Sequence, residues 1–244
     1  MEYSLEWNPD YLPAVLGITV ALVGFILYWF MSVSDWLKAF MITRYGERGE
    51  TILLPLVQKY LGVFWMGIVP AAIMLAVLPY SMADYFVTAG DVPYTLLWTG
   101  GLSAGLILMN WFAARRPETL AYYPQVRATE WTPKLLFHNT LAWVLYLLAY
   151  ELLFRGLLLF ACLVVLDPWV AISINIALYS ATHIPKGFTE SLVTIPFGIG
   201  MCILTMGSGA IWIAWLVHVA VALSNDYVAL KFNPEMKIVR DVRN

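Results

Sequence analysis

Charged side chains are scarce in this sequence. Only 12% of the 244 residues are Asp, Glu, Lys or Arg, whereas a soluble domain carries about a quarter. Hydrophobic residues make up 61% of the chain, and the mean hydropathy is +0.74. The 11 Trp and 14 Tyr suit the aromatic belts at the two membrane interfaces. We therefore predict an integral membrane protein.

Cysteines and basic runs are also scarce. Cys162 and Cys202 each stand alone in an apolar segment without CxxC spacing, which favours core positions. The net charge is −2 with no basic run, so no nucleic-acid partner is expected. Residues 1–10 hold no Lys or Arg and no small-residue cleavage site, so the first apolar segment is not expected to be a signal peptide.

Apolar runs, most of them about 20 residues long, dominate what remains. They are Tyr11–Ser32, Tyr60–Tyr80, Tyr94–Ala114, Lys134–Leu166, Pro168–His183, Glu190–Met206 and Ala210–Leu230. The runs are continuous rather than alternating, so they predict spanning helices and not barrel strands. The predicted fold is an all-α integral membrane protein, a polytopic bundle of about seven transmembrane helices, or eight if the fourth breaks near Gly156.

Lys and Arg are confined to alternate links. They occur after the first, third and fifth runs and in the tail, and the opposite loops hold none. This bias predicts an N-terminus outside and a cytoplasmic C-terminus, as in a bacterial inner membrane. We divide the chain into a three-helix membrane segment with an interfacial linker (1–133), a helical core (134–230) and a cytoplasmic tail (231–244). The first three spans are predicted to carry almost no embedded polar chemistry.

The stretch AYELLFRGLLLF, residues 149–160, places two full charges in an apolar run. Glu151 and Arg155 are four residues apart, so they share one helix face in the order that favours pairing. A charge near mid-membrane costs at least about 2.5–3.5 kcal/mol and is a functional-site hypothesis by default. The alternative is a purely structural ion pair.

Two of the three histidines, His183 and His218, lie in the apolar C-terminal half. The two imidazoles lie on different spans, and the Glu151 carboxylate lies on a third. These are the ligand types of a His/His/carboxylate metal site, which leaves one position open for water. No HExxH motif fixes both ligands locally. The alternative is that each histidine is a hydrogen-bonded core residue.

Three acidic or amide residues are further candidates. Glu190 follows the Pro-Lys-Gly turn, and Asn225 falls on the helix face of His218 with Asp226 slightly off it. The alternative is an ordinary helix start for Glu190 and an ordinary interfacial helix end for the other two.

Other polar positions are predicted to have structural roles. Asn175 is expected to form an interhelical hydrogen bond. His138 and Asn139 open the fourth run and are expected to be solvated near the inner interface.

These residues resemble the motifs of the CPBP (CAAX prenyl protease and bacteriocin-processing, or Abi) family of intramembrane metalloproteases. The family motifs EExxxR, FxxxH and HxxxN each lie on their own membrane helix. Here they read 150–155 (YELLFR), 179–183 (YSATH) and 218–222 (HVAVA). The resemblance covers about residues 134–230. It departs from the family at Tyr150, in place of the first glutamate, and at Ala222, in place of the asparagine.

The resemblance implies an active site built on these positions. His183 and His218 would line the site and hold a metal, with zinc as the expected cofactor. Glu151 would be the surviving glutamate that activates water, and Arg155 would orient it. A tyrosine with a pKa of about 10 is a poor base at pH 7, so Tyr150 removes any route through the first glutamate.

A branch of the family resembles this chain further in an HxxKxxxE stretch. Here the stretch is His183, Lys186 and Glu190. In that case the resemblance implies that either Glu190 or Glu151 substitutes as the base, and that Asp226 takes the place of the missing asparagine.

Two interpretations remain open. One is a metallo-endopeptidase that cleaves a peptide bond of a protein or peptide substrate near the cytoplasmic face. The other, favoured by Tyr150 and Ala222, is an inactive relative, a membrane scaffold or regulatory subunit with a membrane-complex partner. In both interpretations the lipid bilayer is expected to surround the protein. A transporter is less favoured because the chain shows no repeated halves.

Overall fold

Helices form nearly all of the structure. A computed structural model describes residues 6–113 and 115–240. Predictions made for residues 1–5, 114 and 241–244 lie outside the described residues. In the described part of the chain, β structure is limited to one parallel pair, β1 (Glu130–Trp131) and β2 (Lys237–Ile238).

The first half of the bundle contains six helices. They are α1 (Leu12–Ser32), α2 (Asp35–Arg48), α3 (Leu54–Gly62), α4 (Val69–Val77), α5 (Val92–Ala113) and the short α6 (Pro117–Tyr122). The π-helical segments Gly49–Leu53 and Val63–Ile68 join α2 to α3 and α3 to α4. Gly46, with φ 61°, kinks α2 near its end. The second apolar run therefore lies within a longer helical stretch that begins well before Tyr60.

The second half contains five more helices. They are α7 (Pro133–Glu151), α8 (Leu159–Leu163), α9 (Pro168–Ala181), α10 (Phe188–Ser208) and α11 (Trp212–Phe232). The π-helical segment Leu152–Leu158 joins α7 to α8 without a break. The fourth apolar run is thus one continuous helical stretch through Gly156.

The helices are long enough and apolar enough to cross a membrane. Among the described residues, six stretches satisfy both conditions: Pro9–Ser32, Asp35–Val77, Val92–Ala113, Pro133–Leu163, Phe188–Ser208 and Trp212–Phe232. The helix Pro168–Ala181 is also apolar but shorter than these six. The predicted all-α polytopic membrane fold is confirmed.

Local sequence fixes where the central helices begin and end. The Thr132 side chain accepts a backbone N–H of the first turn of α7, and Pro133 occupies the first helical position. Asp167 and Pro168 do the same for α9. Gly209, with φ 68°, ends α10 in the left-handed conformation that glycine adopts readily. These signals separate the helices that carry the polar residues.

The stretch from α7 to α8 lies at the centre of the bundle. Every residue from Leu153 to Leu159 is buried. This stretch packs against α1, α3, α4, α9 and α11. Asn175 on α9 donates to the carbonyl of Phe154 at 2.5 Å, which confirms the predicted interhelical hydrogen bond. The central helix therefore places Glu151 and Arg155 away from both water and lipid.

The C-terminal tail docks on the link before α7. Glu130 pairs with Lys237 and Trp131 with Ile238 in the parallel strands. The Lys237 Nζ also lies 2.9 Å from Glu130 Oε1. Trp131 is fully buried, so this small pair covers an apolar cluster at one end of the bundle.

Candidate active site

A buried carboxylate lies at the centre of the site. Glu151 is the last residue of α7 and has no exposed surface. Its Oε2 lies 3.2 Å from Nη1 of Arg155, and its Oε1 lies 2.6 Å from Nδ1 of His218 on α11. The carboxylate therefore has a separate partner on each oxygen.

Arg155 neutralises this carboxylate and is itself stabilised by an aromatic ring. Its guanidinium is fully buried, and its Cζ lies 4.0 Å from the ring centroid of Tyr179 on α9. None of its nitrogens makes an aligned hydrogen bond with the described residues. Charge and ring contact, rather than hydrogen bonding, hold this cation in the apolar core.

The protonation of His218 follows from its partner. A carboxylate oxygen only accepts, so Nδ1 of His218 donates its proton to Glu151. A neutral imidazole carries a proton on only one of its two ring nitrogens. Because Nδ1 carries it here, Nε2 has a free lone pair. No described residue hydrogen-bonds this Nε2, and the His218 side chain retains 17% exposure.

The imidazole of His183 is also oriented by a hydrogen-bond acceptor at its Nδ1. The Nδ1 of His183 lies 3.1 Å from the carbonyl oxygen of Tyr179, which also only accepts. Thr182 Oγ1 donates to that carbonyl at 2.7 Å and accepts from the Tyr150 hydroxyl at 2.7 Å. The Tyr150 ring centroid lies 6.3 Å from that of His183 and 5.6 Å from that of His218. Tyr150 therefore stands between the two imidazoles.

Both imidazoles open into one cavity of about 360 Å³. Residues of α1, α3, α7 and α11 line it, together with the end of α6 and the turns that follow α6 and α9. Its walls are largely aromatic, and its polar atoms come from His, Lys, Gln, Ser, Thr and Tyr side chains. No Asp or Glu of the described chain is among its lining residues. Glu151 lies behind His218 rather than on the cavity wall.

The structure brings together most of the predicted site residues. Glu151, Arg155 and His218 are in contact, and His183 lines the same cavity as His218. Glu190 does not join them. It is exposed in the first turn of α10 and, within residues 6–113 and 115–240, makes no hydrogen bond or ion pair.

A second buried carboxylate lies further along α11. Asp226 is fully buried and accepts from Nδ2 of Asn139 at 2.9 Å and from Nε1 of Trp143 at 2.7 Å. The expectation that Asn139 is solvated is therefore wrong, because the end of α11 covers the start of α7. Asn225 makes no hydrogen bond to the described residues, so Asp226 carries the polar contact of this helix end.

Lys59 is a cavity residue that the sequence prediction missed. It is only 3% exposed, although it lies on α3 in the N-terminal segment. Its Nζ donates to Gln125 Oε1 at 2.8 Å and lies 4.3 Å from the ring centroid of Trp143. Lys59 lies one residue before the second predicted span, so the expectation of almost no embedded polar chemistry in the first three spans did not cover it. The available signal was the polar pair Gln58–Lys59 directly before the second apolar run.

The residues present do not complete a zinc site. A catalytic zinc ion takes three protein ligands. Among the described residues, no three His, Cys, Asp or Glu side chains come close enough together to hold a metal ion. The two Nε2 atoms are suitable ligands, but both oxygens of Glu151 already face His218 and Arg155. The zinc therefore stays a prediction.

Comparison with known families identifies the segment that carries these motifs. Residues 132–224 match the family model described as type II CAAX prenyl endopeptidase Rce1-like.

This segment is an Rce1-like domain of the CPBP family.

The suspected family is thereby confirmed for this part of the chain. No curated protein and no solved structure was found to match the chain.

The Rce1-like domain supplies only part of the cavity wall. Its contribution includes Trp143, Tyr150, His183 and His218. The remaining wall comes from α1, from α3 with Lys59, and from residues 122–125, which lie outside the match. The cavity is thus formed jointly by the Rce1-like domain and the rest of the bundle.

Proposed function

We propose that this chain is a membrane-embedded endopeptidase that cleaves a peptide bond of a protein or peptide substrate near the cytoplasmic face of a bacterial inner membrane. The Rce1-like domain supports a membrane-embedded protein of the CAAX protease type. The observation that carries the proposal is the 2.6 Å contact between His218 Nδ1 and Glu151 Oε1, with the other ring nitrogen left free beside the cavity.

The pair can act as an oriented general base. His218 Nε2 accepts a proton from a water molecule, and the resulting hydroxide attacks the scissile carbonyl. Glu151 stabilises the imidazolium that forms, and the same imidazolium then donates its proton to the leaving amine. Arg155 compensates the negative charge of the Glu151 carboxylate, which is buried behind His218 and does not line the cavity. Each proton removed is thus returned, and no further reactant is required.

The test is peptide hydrolysis by the protein reconstituted in liposomes, with a library of quenched-fluorescence peptides. Removing a general base lowers the rate by about 10²–10⁴-fold, so we expect at least a hundredfold loss of kcat in His218→Gln. His138→Gln is the matched control, because His138 does not line the cavity. A native rate in His218→Gln would refute the proposed mechanism.

One observation favours a non-catalytic function as the second candidate. Tyr150 occupies the position of the first family glutamate, and no carboxylate of the described chain lines the cavity. A membrane scaffold or regulatory subunit would use the cavity to bind a peptide or a partner helix. Absence of cleavage of the whole library by the native protein, together with retained peptide binding, would support this function.

A further inference from the structure

The cavity carries charge of one sign. Two lysines, Lys59 and Lys186, are among its lining residues, and no Asp or Glu of the described chain is. A concave site lined by one sign of charge with apolar walls concentrates ligands of the opposite sign. The mechanism proposed above uses neither lysine.

Lys59 is the buried member of this pair. Its ammonium has an amide oxygen and an aromatic ring as neighbours, and it makes no ion pair within residues 6–113 and 115–240. The buried carboxylate of Asp226 attracts Lys59 electrostatically but makes no ion pair with it, and its Oδ2 accepts from Asn139 and Trp143 instead. A buried ammonium is unfavourable without a charged partner, so an anion in the cavity would supply what the protein does not.

Lys186 is the exposed member of the pair. It lies in the 3₁₀ turn after α9, and its side chain makes no hydrogen bond or ion pair to the described residues. Glu190, one turn further along the chain, acts on it electrostatically but does not line the cavity. The ammonium of Lys186 therefore remains available to a ligand at the cavity mouth.

The position of the cavity indicates where its anion comes from. The wall includes Ser32 and Val33, at the end of α1. The amphipathic α2 follows at once, with Trp36 72% exposed. Tyr28, Trp29 and Tyr122 also line the cavity, as expected of side chains at headgroup level. Phosphate is the anion that a bilayer supplies at headgroup level.

We propose that the cavity binds the phosphate of an anionic phospholipid, held by Lys59 and Lys186. Basic pockets between transmembrane helices on the cytoplasmic side are suited to anionic headgroups. The aromatic side chains pack against the glycerol and the first acyl carbons. A zwitterionic headgroup binds less well, because its ammonium group meets two lysines. The lipid site uses neither Glu151 nor His218, although His218 lines the same cavity.

Native mass spectrometry of the protein in detergent measures this site directly. Short-chain phosphatidylglycerol and short-chain phosphatidylcholine are titrated separately. We expect phosphatidylglycerol to bind on the order of tenfold or more tightly than phosphatidylcholine. This preference should disappear in Lys59→Gln. It should persist in Lys231→Gln, a matched control because Lys231 also lies over a ring, that of Trp111, but outside the cavity.

The other outcomes each decide against the proposal. Equal binding of the two lipids would overturn it, and so would an unchanged preference in Lys59→Gln. Binding of inorganic phosphate as tight as that of phosphatidylglycerol would assign the site to free phosphate. Displacement of the lipid by a short apolar peptide with a free carboxylate, but not by its amide, would assign it to a peptide terminus. If Lys59→Gln does not fold, Lys186→Gln serves instead, because the exposed Lys186 has no structural bond to lose.

Discussion

At the scale of single residues, two full charges persist in an apolar core because each has a partner. Glu151 faces Arg155 on one oxygen and His218 on the other. Arg155 in turn lies over the ring of Tyr179. Burial of one member alone would leave an uncompensated charge, which is far less favourable than burial of the pair.

Glu151→Gln is expected to destabilise the protein by about 3–5 kcal/mol, because Arg155 is left buried without its counter-charge. Thermal unfolding in detergent measures the change. Glu118→Gln is the control, since Glu118 is exposed on α6, and should shift the stability by less than about 0.5 kcal/mol.

The double variant Glu151→Gln with Arg155→Met provides the decisive comparison. It removes both charges and should recover part of the stability lost in the single variant. A double variant less stable than Glu151→Gln alone would contradict the ion-pair explanation. This result also shows why His218→Gln, rather than Glu151→Gln, is the cleaner test of catalysis.

At the scale of elements, the π-helical segment between α7 and α8 determines how closely neighbours approach. A Cβ at Gly156 would lie 2.9 Å from Leu152 Cδ1 and 3.0 Å from the backbone oxygen of Tyr85. Tyr85 belongs to the loop between α4 and α5 and is itself fully buried. The glycine in FRG is therefore required by the packing of that loop against the central helix. The sequence alone shows the glycine but not the loop that lies against it.

Gly156→Ala is expected to destabilise the protein by about 1–3 kcal/mol, because a backbone oxygen cannot move aside as a flexible side chain can. The matched control is Gly100→Ala on α5, where an added Cβ meets nothing within 4 Å. Alanine is also the better helix former, so this control should be neutral or slightly stabilising. If both variants are equally stable in the same unfolding assay, the α4–α5 loop can move aside for the added methyl group, and the prediction is wrong.

At the scale of the whole molecule, the alternation of basic links predicts the orientation in the membrane. Counting the shorter helix Pro168–Ala181 with the six stretches long enough to span, we predict seven crossings, which would put the two ends of the chain on opposite sides. The link that holds α6 is basic, whereas the loop between α4 and α5 carries no Lys or Arg. The positive-inside rule then places the first in the cytoplasm and the second outside.

Cysteine labelling tests this orientation in bacterial inner-membrane preparations. Ala83→Cys in the α4–α5 loop should react with an impermeant maleimide in intact spheroplasts. Glu118→Cys should react only in inverted vesicles. Both positions are exposed, and Cys162 and Cys202 are fully buried, so background labelling should be low. The opposite pattern would invert the orientation and place the cavity at the outer face.

The sequence by itself determined the fold class, because hydropathy over about 20 residues depends on local composition alone. It also indicated Glu151, Arg155, His183 and His218, since charge and imidazole are rare in apolar helices and three motifs follow in order. The pairing of Glu151 with Arg155 is a local i, i+4 relation, so spacing was enough to anticipate it.

Only the tertiary structure decided which distant groups meet. Glu151 bonds His218, which lies 67 residues further along the chain, and no local pattern gives that pair. The cavity likewise combines the Rce1-like domain with Lys59, which precedes it by more than seventy residues. Contacts between helices depend on how their faces pack, and a single sequence fixes the faces but not their partners.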